Sequence, residues 1–196
     1  MGIPVEAAAL DTLFRSARTQ NKWLDKPIST EQLMEIYELM KWGPTSANSF
    51  PVRMVFVASA EGKKRLAPLV FEGNRLKVMA APVTAIIGYD TQFYDWLPRL
   101  FPHRDMRSLF VDKPEFAETS AFRNSSLQGA YFMLAARALG FDCGPMSGFD
   151  NEGVDREFFP GDRVKSNFIC AIGYGDPSGV FDRLPRPSFS EVCQVV

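Results

Sequence analysis

Several short stretches concentrate the residue types that hold phosphates and flat heteroaromatic ligands. Arg15, Ser16 and Arg18 close the first helical segment of the chain. Arginines three apart share a helix face and can converge on one phosphate through charge-assisted hydrogen bonds, although paired surface arginines are often just solvated. Gly43-Pro44-Thr45-Ser46-Ala47-Asn48-Ser49-Phe50-Pro51 sets small hydroxyl and amide side chains between prolines. They could hydrogen-bond a ring edge or simply serve a turn from helix to strand. Asn74 suits a helix N-cap, and Lys77, beyond it, reaches either a ligand or solvent. Asn124 and Gln128 share a face of a helix that turns apolar right after them. Their polar groups need partners, from another segment or from a ligand. Gly144-Pro145-Met146-Ser147-Gly148-Phe149-Asp150 reads as an ordered loop whose backbone N–H groups can approach a ligand closely, with Asp150 capping the next helix. Gly173-Tyr174-Gly175 lacks the dinucleotide-binding spacing, and Pro177 stands where a helix should begin, so a Rossmann domain is rejected.

Other chemistries have little to build on. His103 is the only histidine, it lies in a Pro-flanked stretch without a nucleophile motif, and a surface or lid position suits it best. No ligand pair has metal-binding spacing, so no metal is expected. Cys143, Cys170 and Cys193 form no CxxC pair and read as free thiols in a reducing cytoplasm, the first two as small buried hydrophobes. A net charge of -1 offers no basic surface for nucleic acid. No segment has the length and apolarity of a membrane span, and the first ten residues lack the basic start of a secretory signal.

The elements that must position these residues follow from periodicity. Leu10, Leu13, Phe14 and Ala17 predict a helix to about Arg18. Ser29 with Gln32 forms a capping-box pattern ahead of the stripe Leu33, Ile36, Tyr37 and Met40, which Gly43-Pro44 ends. Residues 52–58 predict a strand, 61–70 and 74–80 short helices, and 83–89 a strand covered on both faces. Residues 90–115 scatter aromatics among prolines, either as a lid or as a packed excursion. The longest helix is expected over 116–139, with Gly140 as its stop and an apolar second half broken only by Arg137. Residues 168–174 predict the last strand. No linker divides the 196 residues, which predicts one α+β domain with a central mixed sheet wrapped by helices.

The order of these pieces resembles the nitroreductase family over essentially the whole chain: Arg-Ser-x-Arg, then Pro-Thr-Ser-Ala-Asn-x-x-Pro, then Gly-Pro-Met-Ser-Gly-Phe-Asp after a long helix. The runs 41–48 and 122–126 resemble the branch that contains the malonic semialdehyde reductase of bacterial pyrimidine catabolism. The resemblance implies an intertwined homodimer with FMN at the subunit interface and NADH or NADPH as hydride donor in a ping-pong cycle. Arg15, Ser16 and Arg18 would hold the phosphate and ribityl chain, and Asn74 and Lys77 would lie near the pyrimidine edge. Pro145, Met146, Ser147 and Gly148 would lie along the isoalloxazine, with a backbone N–H donating to N5. Pro44, Thr45, Ser46 and Asn48 of the second copy would line the ring, and Asn124 would touch its polar edge. Arg183 and Arg186 both fit the C-terminal arginine of the phosphate site. Val52 departs from the aromatic usual at its position. For a carboxylated acceptor, Arg123 or Arg104 could pair with the carboxylate. A broad nitroaromatic or quinone reductase, and a flavin-binding protein without turnover, are the rival readings.

Overall fold

In the computed structural model, which describes residues 2–196, the four strands are β1 (Val52–Val57), β2 (Val83–Asp90), β3 (Asp142–Met146) and β4 (Val164–Gly173). They form one sheet in the order β1-β2-β4-β3. All three ladders are antiparallel, where the sequence led us to expect a mixed sheet; the parallel pairing among the described residues is an isolated bridge between Thr19 and Cys143. The sheet is embedded in eight α-helices: α1 (Ala7–Leu10), α2 (Thr30–Met40), α3 (Ala60–Leu66), α4 (Glu72–Ala80), α5 (Leu97–Leu100), α6 (Pro114–Ala138), α7 (Asn151–Phe158) and α8 (Phe189–Val192).

Strand alternation explains the layering. Val83, Ala85 and Ile87 of β2 pack with Ile36 and Met40 of α2 and Phe132 and Ala136 of α6. Ile86 turns to the opposite face, against Leu66 of α3, Val78 of α4 and Val154 of α7. Every residue of β2 is buried, as its unbroken apolar run predicts for a strand covered on both faces.

Local signals fix most boundaries. Ser29 and Gln32 form the reciprocal capping box of α2, and Asp150 caps α7 by accepting from the Gly153 N–H at 3.1 Å. Gly140 stops the chain after α6 with φ +82°, a conformation that costs a residue with a Cβ. The N-terminal helix differs from expectation, since α1 passes into a π-turn at Asp11–Arg15 and ends before Arg18. The expected burial of α6 is one-sided. Phe132 and Ala136 lie in the core, while Phe122, Leu127 and Tyr131 are exposed.

Residues 90–115 form a packed excursion with its own core, in which Phe93, Leu97 and Phe110 meet Tyr89, Ala117 and Ala121. Its base is pinned by Asp90, buried at the end of β2, which pairs with Arg53 and with Arg163 at 2.6 Å and accepts from the Gln92 N–H at 2.8 Å. Trp96 lies under the Arg53 and Arg99 guanidinium groups, at 4.8 and 4.7 Å. Tyr89 ties β2 to α6 by donating to Glu118 at 3.2 Å; burial first, and then the Glu118 carboxylate, pushes its hydroxyl up to about 12, so it stays a neutral donor. His103 is exposed on the excursion, as expected.

Candidate flavin site

The first group of candidates meets where the two ends of the chain come together. The Gln20 N–H donates to the Cys143 carbonyl at 3.0 Å, which with the Thr19–Cys143 bridge lays residues 19–20 along the outer edge of β3. A Cβ on Gly144 would stand 2.5 Å from the Gln20 carbonyl oxygen, so this approach needs glycine. Arg18 thereby sits beside the C-terminal arm, where it donates to the Phe181 carbonyl, while Arg183 donates back to the carbonyls of Arg15 at 2.6 Å and Ala17 at 3.1 Å.

A cleft of about 590 Å³ opens there, and five cations line it: Arg18, Lys77, Arg137, Arg183 and Arg186. Asp182 is the single carboxylate in its wall. Five guanidinium or ammonium groups against one carboxylate make a donor set for a doubly charged anion such as a phosphate monoester. Both C-terminal arginines line the cleft. Arg186 donates to the neighbouring Leu184 and Pro185 carbonyls, whereas Arg183 clamps the N-terminal turn. Arg15 points elsewhere, to Asp11 at 2.8 Å and the Ala7 carbonyl at 2.9 Å, so it and the exposed Ser16 do not line this cleft. Arg137 was missed as a ligand candidate, yet its signal was present: it is the one charge in the apolar half of α6.

Asn74 is not an N-cap. Phe71 holds that position, and Asn74 sits in the first turn of α4, where its Nδ2 donates to the Gly148 carbonyl at 3.1 Å. It thus fixes the Ser147-Gly148 turn. Pro145 and Met146 belong to β3 and not to a loop, and Met146 sends its side chain into the core. Ser147 is left exposed after the strand end.

The second group lines a different cleft, of about 710 Å³, that shares no residue with the first: Pro44, Thr45 and Ser46 with Ser120, Arg123 and Asn124, walled by Phe110, Phe116 and Leu127. Asn124 Oδ1 accepts from the Ser46 N–H at 2.8 Å, and its Nδ2 donates to the Ser120 carbonyl at 2.9 Å. Gln128 Oε1 accepts from the Val52 N–H at 3.0 Å. Chain segments therefore supply the partners of Asn124 and of the Gln128 carbonyl oxygen, while the buried Gln128 Nε2 has none among the described residues. Ala47 and Asn48 adopt φ of 52° and 49°, a strained conformation for alanine, at the turn that presents Ser46. Asn48 itself donates to the Leu100 carbonyl at 2.8 Å and leaves the cleft wall. Val52 is buried and opens β1, so the missing aromatic alters the core and not this wall.

The fold is that of one protein class. The model of the nitroreductase family matches residues 15–175, and the chain belongs to that family. A Stenotrophomonas maltophilia (strain K279a) protein that bears the provisional name NADH dehydrogenase/NAD(P)H nitroreductase is 57% identical over 195 residues, covering 100% of both chains. Among solved structures, a Bacillus subtilis nitroreductase superposes with a TM-score of 0.85 at 24% identity, over 97% of this chain and 100% of that one. An Exiguobacterium sibiricum nitroreductase in complex with FMN gives 0.84 at 20% identity, over 100% of both.

Proposed function

We propose that the protein is an FMN-dependent NAD(P)H oxidoreductase that works as a homodimer and reduces a small carbonyl acid, malonic semialdehyde, to 3-hydroxypropionate. The observation that carries the flavin is the cationic cleft. A phosphate dianion offsets the charge that Arg18, Arg183 and Arg186 bring together, and the ring-lining candidates Ser147 and Gly148 follow the strand that holds Arg18 in place. FMN, when bound, supplies the hydride relay between the nicotinamide and the acceptor. The chain's part is to hold it, exclude water and orient the acceptor. In balance, NAD(P)H and one proton are consumed, the aldehyde carbon gains two electrons, and NAD(P)⁺ and the alcohol are released.

The homodimer is supported by the division of the candidates between two clefts, because a second copy can set the Pro44–Ser46 wall of one chain against the cationic cleft of the other. The exposed apolar side chains of α6, together with Phe181, Leu184, Phe189 and Val192 of the C-terminal arm, also call for cover. No helix of the described residues is long and apolar enough to cross a membrane. The free cysteines, with Cys143 and Cys170 buried, suit a reducing cytoplasm.

A second reading, a broad nitroaromatic or quinone reductase, is favoured by the aromatic wall, where Phe110 and Phe116 stack at 5.2 Å between ring centroids. An anaerobic absorbance experiment separates the two. Protein loaded with FMN should bleach with NADH or NADPH and regain its colour on addition of malonic semialdehyde. Recovery with quinones or nitroaromatics alone would replace the proposed acceptor. Failure to bind FMN would overturn the assignment of the cleft, and bound FMN that no nicotinamide bleaches would make the protein a non-catalytic flavin binder.

A further inference from the structure

Two arginines have no partner of any kind among the described residues. Each of the others meets a carboxylate, a main-chain carbonyl or an aromatic ring: Arg65 pairs with Glu157, Arg75 donates to the Ala67 carbonyl, and Arg107 and Arg156 reach Asp95 and Glu152. Arg104 and Arg123 are left over, and both are exposed. Arg104 lies on the excursion away from the second cleft. Arg123 lines that cleft, one residue before Asn124 and opposite the Pro44–Ser46 turn. The other charged group in the wall, Glu115, is two turns away along α6, roughly 12 Å of helix rise, and makes no ion pair with it.

We infer that Arg123 is the residue that selects a carboxylated acceptor, by pairing its guanidinium fork with the acceptor's carboxylate in this cleft. The inference rests on reading the cleft as the acceptor side of the flavin site. The fork offers two parallel N–H donors to the two carboxylate oxygens, a match that a lysine ammonium does not reproduce. Among the cleft's polar groups, Ser46 N–H, Asn124 and the Ser120 carbonyl are already engaged with one another, so Arg123 is the cation with its capacity unspent. Phe110, Phe116 and Leu127 give the cleft an apolar wall beside the guanidinium. A neutral acceptor gains nothing from this arrangement, so the residue acts on the choice of acceptor.

The test compares wild type, Arg123→Ala, Arg123→Lys and Arg104→Ala, all as FMN-loaded protein. Malonate serves as a non-reacting probe, its binding followed by calorimetry and by the shift it causes in the flavin spectrum. Malonic semialdehyde and an uncharged quinone serve as acceptors. Arg123→Ala should weaken malonate about 10- to 100-fold and lower the ratio of kcat/KM for semialdehyde over quinone by a similar factor, mainly through KM. Arg123→Lys should fall between, and Arg104→Ala should match wild type. Equal malonate affinity in wild type and Arg123→Ala, or a ratio that Arg104→Ala moves and Arg123→Ala does not, would overturn the inference. Wild type that takes up FMN and is bleached by a nicotinamide yet ignores malonate overturns it alone. Wild type that takes up no FMN overturns the functional reading beneath it.

Discussion

Arg18 and Arg183 already spend donors on main-chain carbonyls, Arg18 on Phe181 and Arg183 on Arg15 and Ala17. A guanidinium has five N–H donors, so such a bond leaves capacity for an anion and fixes the direction from which it is offered. Holding the side chain in advance lowers the entropy lost when the ligand arrives. Arg18→Ala should therefore weaken FMN about 10- to 100-fold, read as loss of flavin fluorescence quenching in a titration. Arg183→Ala should cost at least as much, because it also frees the arm, and Arg186→Ala less, because its bonds are to its own neighbours. Affinity that Arg18→Ala leaves unchanged would take the phosphate out of this cleft.

At the scale of elements, β3 shows why part of the site was hard to read. Its sequence, Asp142-Cys143-Gly144-Pro145-Met146, contains a Gly-Pro pair that ordinarily marks a loop, yet it pairs with β4 over five residues. Pro145 is tolerated because β3 is at the sheet edge, and Gly144 because the segment at Gln20 presses against it. Both reasons are tertiary, and neither is visible within the stretch itself. Asn74 was misplaced for a similar cause: its local fitness as a cap hid a contact with Gly148, 74 residues away. By contrast α2, β1, β2, α7 and the stop at Gly140 rest on caps and periodicity, which neighbouring residues carry, and these were legible. Family order made Arg18, Lys77, Arg183 and Arg186 legible, but neither the place of Arg137 in their cleft nor the turning of Arg15 to Asp11. Gly144→Ala tests the role of the edge. Its Cβ meets a backbone oxygen that cannot swing aside, so the variant should lose about 1–3 kcal/mol in denaturant unfolding and bind FMN more weakly than that loss explains. Normal FMN affinity in a folded Gly144→Ala would show that the Gln20 contact does not set the position of Arg18.

At the scale of the whole molecule, a site shared between two chains can be repaired by mixing. An Arg18→Ala/Arg183→Ala chain loses two of the five cations of the cleft, and an Asn124→Leu chain disrupts the Ser46 turn. Each homodimer should be nearly inactive. Co-refolded in equal amounts, half of the dimers are mixed, and each of those contains one site with neither defect, so activity should return to roughly a quarter of wild type. No recovery would mean that each chain builds its site alone. The clamp between the chain ends has a kinetic side as well. Arg18 and the Phe181 carbonyl are 163 residues apart in sequence. Contacts of such long range close the largest loops and are made after local ones have formed. The cationic cleft is therefore complete only as folding finishes, and a nascent chain still short of Arg183 and Arg186 lacks two of its five cations.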